Sequence, residues 1–425
     1  VTSLLVRDAL IVPGTPDGAP PFTGWLRAEG GAIASLGPGE PPEPGANRVV
    51  DGRLRALLPG LVNAHAHSHS SLTRGSAEGL PLEGWLRLLE AEQRRLTEEE
   101  AYTAALATYC EMLLGGTTAV LDMCLHPGAA LRAAAETGIR AVVAPYVADG
   151  KPFTPTLEAV QRLLAADEGS GRVWVGLHDL ESCSDGQIAA GAALAARSGT
   201  GLHLHCAETA GSVEQTRRRT GRTPVGHLEA LGALSPRTLL AHCVWVDEAD
   251  RGRLAASGTH VVHCPQANLK LGSGIAPVPE LLAAGVNVAL GSDGAKANNG
   301  LDLFETMKLA SLLPKGTRRD PALLPPAEVL ALATRNGGRA LALPVGALAP
   351  GLRADLALVR LDRFHLQPAT PETIVTNLVH AARASDVEMV LVDGRIVVEG
   401  GAVRSVDAEA IRRRAAEAGR SLLRP

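Results

Sequence analysis

Eight times between residues 56 and 345 the chain repeats one unit, a short apolar run followed by a longer Ala/Leu-rich stretch. The runs are "ALLPGLVNAHAH", "GTTAVLDMC", "IRAVVAPYV", "RVWVGLHDL", "GLHLHCAE", "TLLAHCVWV", "THVVHCPQ" and "VNVALGSDG". Short, apolar and bounded by turn residues, they read as strands. The stretches between them read as helices. "TEEEAYTAALATYCEMLLGG" carries the fullest signals, opening on a Thr97/Glu100 capping box and closing at Gly115. Eight strands alternating with helices is the count of a (β/α)8 barrel, an α/β fold of the TIM type. An open doubly wound sheet is the alternative, but no GxGxxG follows the first strand to mark a dinucleotide fold.

The flanks differ in style. Residues 1–55 ("SLLVRDALIV", "GWLRAEGGAIASLG") and 346–425 ("ADLALVRLD", "VEMVLVDGRIVVEGG") hold short β-type runs separated by Gly and Pro, with a last helical stretch "DAEAIRRRAAEAGRSLL". These two parts are expected to meet as one small β-sandwich domain, with 56–345 forming the barrel. A net charge of −4 without a basic stripe, and aromatics at only 3%, provide neither phosphate neutralisation nor a base-stacking platform. No apolar run reaches the length of a membrane span, and the start "VTSLLVRDALIVPG" lacks a signal-peptide pattern. The six cysteines never form CxxC and read as reduced, buried thiols. The expectation is a cytoplasmic protein acting on a small molecule, with neither nucleic acid nor membrane as partner.

In such a barrel the chemistry sits at the carboxyl ends of the strands. Strand one ends in His65 and His67, with His69 continuing the alternation; strand four ends in His178. Strand five ends in His205 with Glu208 just beyond, strand six in His242, strand seven in His263 and strand eight in Asp293. Alternation puts His65, His67 and His69 on one face, and spacing alone leaves open which of them are ligands. Neutral imidazoles with a carboxylate suit zinc, or less distinctively iron or manganese. Three histidines and an aspartate leave a position for water, whose pKa a divalent ion lowers to about 7. A neighbouring carboxylate can then move protons.

Five motifs in order, "LLPGLVNAHAH", "LHLHCAET", "LLAHCVW", "HCPQANLKLGSGIAPV" and "LGSDGAKANNGLDLFETMKLA", resemble the amidohydrolase superfamily. Within it they are similar to the branch of methylthioadenosine/S-adenosylhomocysteine deaminases and triazine chlorohydrolases. "GALAPGLRADLALV" resembles that family's return into its small β-domain. The resemblance implies His65, His67, His205 and Asp293 as ligands of one divalent metal, zinc foremost. It selects the histidines that follow "PGLVN", and HxxE spacing joins His205 to Glu208, leaving His203 as a packed or supporting residue. The implied reaction is hydrolytic displacement at an electron-poor ring carbon. Asp293 takes a proton from the metal's water as hydroxide attacks, Glu208 protonates the ring nitrogen, His242 hydrogen-bonds the attacking oxygen, and ammonia leaves. None of Lys151, Lys270, Lys296, Lys308 and Lys315 ends a strand, which argues against a carbamylated lysine bridging two metals.

For substrate contact the resemblance points to His178 and to Trp85 of "LEGWL", while His69 and His263 are expected as pocket lining. Gln93 of "LLEAEQRRLT" falls where relatives acting on ribosylated adenines carry a glutamate for the sugar hydroxyls. Glutamine can still bond a hydroxyl, without the strength of a charge-assisted bond. The expected activity is deamination of an adenosine-type or other purine derivative. The alternatives are a guanine, 8-oxoguanine or pterin deaminase, and a triazine-type hydrolase displacing halide or alkylamine. Homo-oligomers are also implied by the resemblance.

Overall fold

A computed structural model describes residues 3–43, 45–167, 169 and 171–423. Val1 and Thr2, at the head of the first β-type run, and residues 424 and 425 of the C-terminal part lie outside the described residues. The chain begins with β1 (Ser3–Ile11), β2 (Phe22–Glu29), β3 (Ala32–Pro38), β4 (Arg48–Asp51) and β5 (Arg55–Pro59). Eight strands follow, each taken from one of the expected runs: β6 (Leu61–Ala66), β7 (Thr117–Cys124), β8 (Arg140–Pro145), β9 (Val175–Gly176), β10 (Leu202–Cys206), β11 (Thr238–His242), β12 (His260–His263) and β13 (Val288–Leu290). The chain finishes with β14 (Leu356–Arg360), β15 (Val387–Val392), β16 (Arg395–Glu399), β17 (Ala402–Val403) and the helix Ala408–Leu422.

Strands β6, β7 and β8 pair in parallel, and β9 to β13 form a second parallel sheet in sequence order. Bridges Val143–Val173 and Val147–Leu177 tie the β8 side to the β9 side. At the other seam the Asp293 amide donates to the His65 carbonyl at 3.0 Å. Every residue of β6, β7, β10, β11, β12 and β13 is buried, the condition of parallel strands covered on both faces. Along β6, Val62, Ala64 and Ala66 pack into apolar clusters, which turns Asn63 and His65 to the opposite side. The helix Glu98–Leu114 has both bonds of the Thr97/Glu100 capping box and ends at Gly115, as its sequence specifies. Such a cap is worth about 1 kcal/mol.

The terminal segments share one nine-stranded sheet in the order β17-β16-β15-β14-β5-β1-β2-β3, with β4 alongside β1. Antiparallel pairing of β5 with β14, Pro59 opposite Leu356, joins the two ends of the chain. The run "ALLPGLVNAHAH", read from sequence as one strand, is therefore two. It changes sheets at Gly60, where a Cβ would lie 2.1 Å from Thr118 Oγ1 and 2.3 Å from its Cγ2. Regular pairing in "RVWVGLHDL" is likewise confined to Val175–Gly176, with Val173 and Leu177 making single bridges. No helix among the described residues is long and apolar enough to cross a membrane.

The crossing at Gly60 yields a measurable expectation. Gly60→Ala should destabilise the protein by about 2 kcal/mol, because the new methyl would lie 2.7 Å from the Cβ of buried Thr118, an atom that rotation about χ1 does not move. Urea denaturation reads this directly, and adding Thr118→Ala should recover part of the loss.

Candidate metal centre and substrate cleft

The carboxyl ends of β6 and β10 bring His65, His67 and His205 together, and the proton positions on these rings follow from their partners. The His67 Nδ1–H donates to the Met123 carbonyl at 2.8 Å, and the His205 Nδ1–H to the His178 carbonyl at 2.6 Å. Carbonyls only accept, so in each neutral ring the other nitrogen, Nε2, carries a lone pair. His65 is fixed at one remove. His203 Nδ1–H donates to the Leu239 carbonyl at 2.9 Å, so His203 Nε2 accepts, and His65 Nδ1–H donates to it at 2.8 Å. The third lone pair then falls on His65 Nε2, a buried atom with no hydrogen-bond partner. Burial, reinforced by the neighbouring rings, holds His65 and His205 well below the usual histidine pKa, in the neutral form this arrangement needs.

These lone pairs converge. His67 Nε2 and His205 Nε2 lie 3.2 Å apart, where two acceptors repel. Asp293 Oδ1 lies 3.5 Å from His65 Nε2 and 3.4 Å from His67 Nε2, and it also accepts the Gly294 amide at 2.7 Å. Candidate ligand atoms of His65, His67 and His205 all lie within 4.8 Å of one another, as do those of His65, His242 and Asp293. Three lone pairs and a carboxylate facing one point call for a cation, and this nitrogen/oxygen donor set fits zinc. The outer nitrogens are held as ligating histidines require, each donating to a fixed acceptor.

Glu208 and His242 complete the polar group. Ser273 Oγ donates to Glu208 Oε1 at 3.0 Å, while Glu208 Oε2 lies 3.7 Å from His242 Nε2. His242 Nδ1 donates to Asn268 Oδ1 at 2.8 Å. Burial pushes the Glu208 carboxyl up, with Asp293 adding to the rise against the opposing pull of His242 and Ser273. Ala207, His242 and Asp293 have φ of +50°, +72° and +61°. Left-handed backbone at non-glycine residues is strained, and here it turns the chain sharply where each functional side chain leaves its strand.

These groups form the floor of a 310 Å³ cavity that includes His67, His205, Glu208, His242 and Asp293. Of the expected substrate contacts, His69, Trp85 and His178 line it. Gln93 does not. It is buried behind His69, its amide 3.1 Å from His69 Nε2. His263 is also absent from the lining; it is buried on β12, and burial then His242 push its pKa down to about 3. Lys296 is fully buried and pairs with Glu92 at 2.6 Å, away from any ligand position.

Sequence reasoning did not single out four contributors. Tyr146 stacks on His178 with ring centroids 4.2 Å apart, Ser273 holds Glu208, and Glu83 and Glu181 line the cavity. Nor did it single out Asn63, whose Nδ2 donates to Ser292 Oγ at 2.7 Å and whose Oδ1 accepts the Ser292 amide at 3.0 Å, bolting β6 to the segment that carries Asp293. Asn63 was findable, standing two residues before His65 and so on the same face. The others have no local signature.

Strands that end in neutral histidines and a carboxylate around one open cleft define a class of metal-dependent hydrolases. The chain belongs to the amidohydrolase family, which matches residues 56–397. It is 39% identical over 418 residues to a 5-methylthioadenosine/S-adenosylhomocysteine deaminase of Moorella thermoacetica, covering 96% of this chain and 97% of that one. It is 39% identical over 376 residues to a 5'-deoxyadenosine deaminase of Methanothermobacter thermautotrophicus, covering 86% of each. Among solved structures, an adenosine deaminase from Xanthomonas campestris with bound zinc superposes with a TM-score of 0.93 at 28% identity, covering 99% of this chain and 98% of that one.

Two outcomes are expected of this centre. His65→Ala and Asp293→Ala should each hold less than about a tenth of the zinc of the parent after dialysis, read by elemental analysis. Stability should also depend on pH. Burial pushes His203 and His263 down to about 3 in the folded chain, against 6.5 ordinarily. Below pH 6.5 the unfolded chain takes up protons that the folded chain refuses. Stability present above 6.5 is therefore lost as pH falls towards 3, by about 1.4 kcal/mol per pH unit for each such ring. The urea midpoint of the metal-free protein should fall steadily across that window, and a flat midpoint would contradict the buried-neutral assignment.

Proposed function

We propose that the chain is a metal-dependent aminohydrolase that replaces the exocyclic amino group of a purine-type heterocycle with oxygen, releasing ammonia. One observation carries the reading: three fixed lone pairs and Asp293 meet beside a buried carboxyl, Glu208, whose pKa is raised. The deaminase names of the relatives agree with this chemistry. The eight parallel strands are read as a closed barrel with its mouth at these residues. The nine-stranded sheet, which runs past residue 55 to take in β5 as far as Pro59 and is completed by β14 to β17, is read as a sandwich domain beside it.

One zinc ion held by His65, His67, His205 and Asp293 would act as a Lewis acid and make water a nucleophile near neutral pH. The chain's residues do the rest. Asp293 lies at the centre and on the cavity wall, so it accepts a proton from the attacking water. Glu208, whose carboxyl burial makes easier to protonate, passes a proton to the ring nitrogen so that the ring can accept the electron pair. Its Oε1 is occupied by Ser273, leaving Oε2 for the substrate. His242 Nε2, left with its lone pair because the Nδ1–H is given to Asn268 Oδ1, faces the same space and accepts the hydrogen of the attacking oxygen, orienting it. Trp85, His69 and His178, backed by Tyr146, form the wall against the ring, and Gln93 acts through His69 by holding its orientation.

Glu208→Gln separates these roles. The variant should keep its full zinc content while ammonia release from the best purine-type substrate drops by at least about a thousandfold. Loss of zinc would make Glu208 a ligand, and retained turnover would remove it from the chemistry.

A further inference from the structure

The cleft has a charge pattern that the deamination chemistry does not use. Its lining contains no lysine and no arginine, yet it holds two carboxyl groups beyond the reacting ones that no ion pair engages among the described residues. Glu83 comes from the first turn of the helix Leu82–Gln93, and Glu181 from the segment after β9. Both side chains open to solvent at the rim, and neither has an ion-pair partner among the described residues.

The other charges near the rim are committed. Asp179 accepts the Ser182 amide and hydroxyl, each at 2.6 Å, and the Glu181 amide at 3.1 Å, and its second oxygen faces His178 Nδ1 at 2.8 Å. Arg219, the guanidinium whose charge reaches Glu181, is held by Asp185 at 2.7 Å and by the Leu180 carbonyl at 3.3 Å. The positive end of the helix Ala210–Thr220 is already capped, since Thr209 Oγ1 accepts the Ser212 amide at 3.1 Å. An anionic substituent entering this cleft meets no free lysine or arginine among the described residues that line it. Deeper in, the wall has a different unmet need. Trp85 Nε1 and His69 Nδ1 are buried without partners on side chains that line the cavity. Both are donors, since Gln93 donates to His69 Nε2 and so places the His69 proton on Nδ1.

We propose that Glu83 and Glu181 are specificity residues that select a substrate whose end remote from the reacting ring carries a protonated amine, and that reject one ending in carboxylate or phosphate. The claim rests on the purine-type reading above and narrows it, with ring acceptors meeting the wall and a cation meeting the rim. The surrounding protein, and then Asp179, push the Glu181 carboxyl up, and a cation beside it would reverse that cost.

The test uses three compounds that share one adenine–ribose core and differ at the 5′ carbon: 5′-deoxyadenosine, 5′-amino-5′-deoxyadenosine and adenosine 5′-phosphate. Calorimetry on the metal-free protein gives binding without turnover, and ammonia release by zinc-loaded protein gives kcat and KM. The amine should bind about tenfold tighter than the neutral compound, as two rim ion pairs of ordinary strength allow, and the phosphate about tenfold weaker. Salt at about 0.5 M should shrink the preference. The double variant E83Q/E181Q should reduce it to about twofold, through KM and not kcat. The proposal is overturned if the phosphate binds as well as the neutral compound, or if the amine's advantage survives E83Q/E181Q. Preferred binding of the amine with no ammonia from any compound would sink the deaminase reading while leaving the charge selection standing. Failure of all three to bind would remove both.

Discussion

The structure turns on where three protons sit. Met123, His178 and, through His203, Leu239 take the Nδ1 protons of His67, His205 and His65, so that three Nε2 lone pairs meet a carboxylate at one point of the cavity floor. The carbonyls come from the end of β7, from just past β9 and from the start of β11, the histidines from β6, the residue after it and β10, and the aspartate from just past β13. No single strand–helix unit can supply this; the full run of parallel strands is needed to hold so many backbone carbonyls in place. A cluster of buried polar groups is costly unless each is satisfied, and here the Nδ1–H of each of His65, His67, His203 and His205 has its acceptor. That leaves a site whose remaining demand is for a cation.

The same economy shapes the cleft wall. The helix Leu82–Gln93 supplies Glu83, Trp85 and Leu89 to the cavity, and its last turn is bolted down twice. Glu92 pairs with the fully buried Lys296 and accepts from Thr73 Oγ1 at 2.7 Å, while Gln93 meets His69. Lys296 lies three residues after Asp293, and His69 two residues after His67, so the wall is registered directly against the two segments that carry ligands. A buried ion pair adds little net stability against an apolar alternative, but breaking one partner is costly. Its consequence here is geometric, since helix and metal-site segments move together.

Chemistry and recognition are thus separated by depth. The floor combines a raised carboxyl with neutral imidazoles for proton transfer. The rim carries Glu83 and Glu181, which no ion pair engages among the described residues.

Much of this was legible in the sequence. The eight strand–helix units, the Thr97/Glu100 cap and the strand-end positions of His65, His67, His205, His242 and Asp293 follow from local periodicity and residue type, which a linear chain carries in full. Tertiary structure alone decided the rest. The change of sheet at Gly60 depends on how closely Thr118 approaches. The tautomers depend on backbone carbonyls, which every residue possesses and no motif marks. Gln93 stands two dozen residues from His69 in the chain yet contacts its ring. Glu83 and Glu181 become neighbours of one cavity only when segments about a hundred residues apart close around it. Residue type and period are properties of the chain; which proton, which partner and which empty space are properties of distance, and distance exists only once the chain has folded.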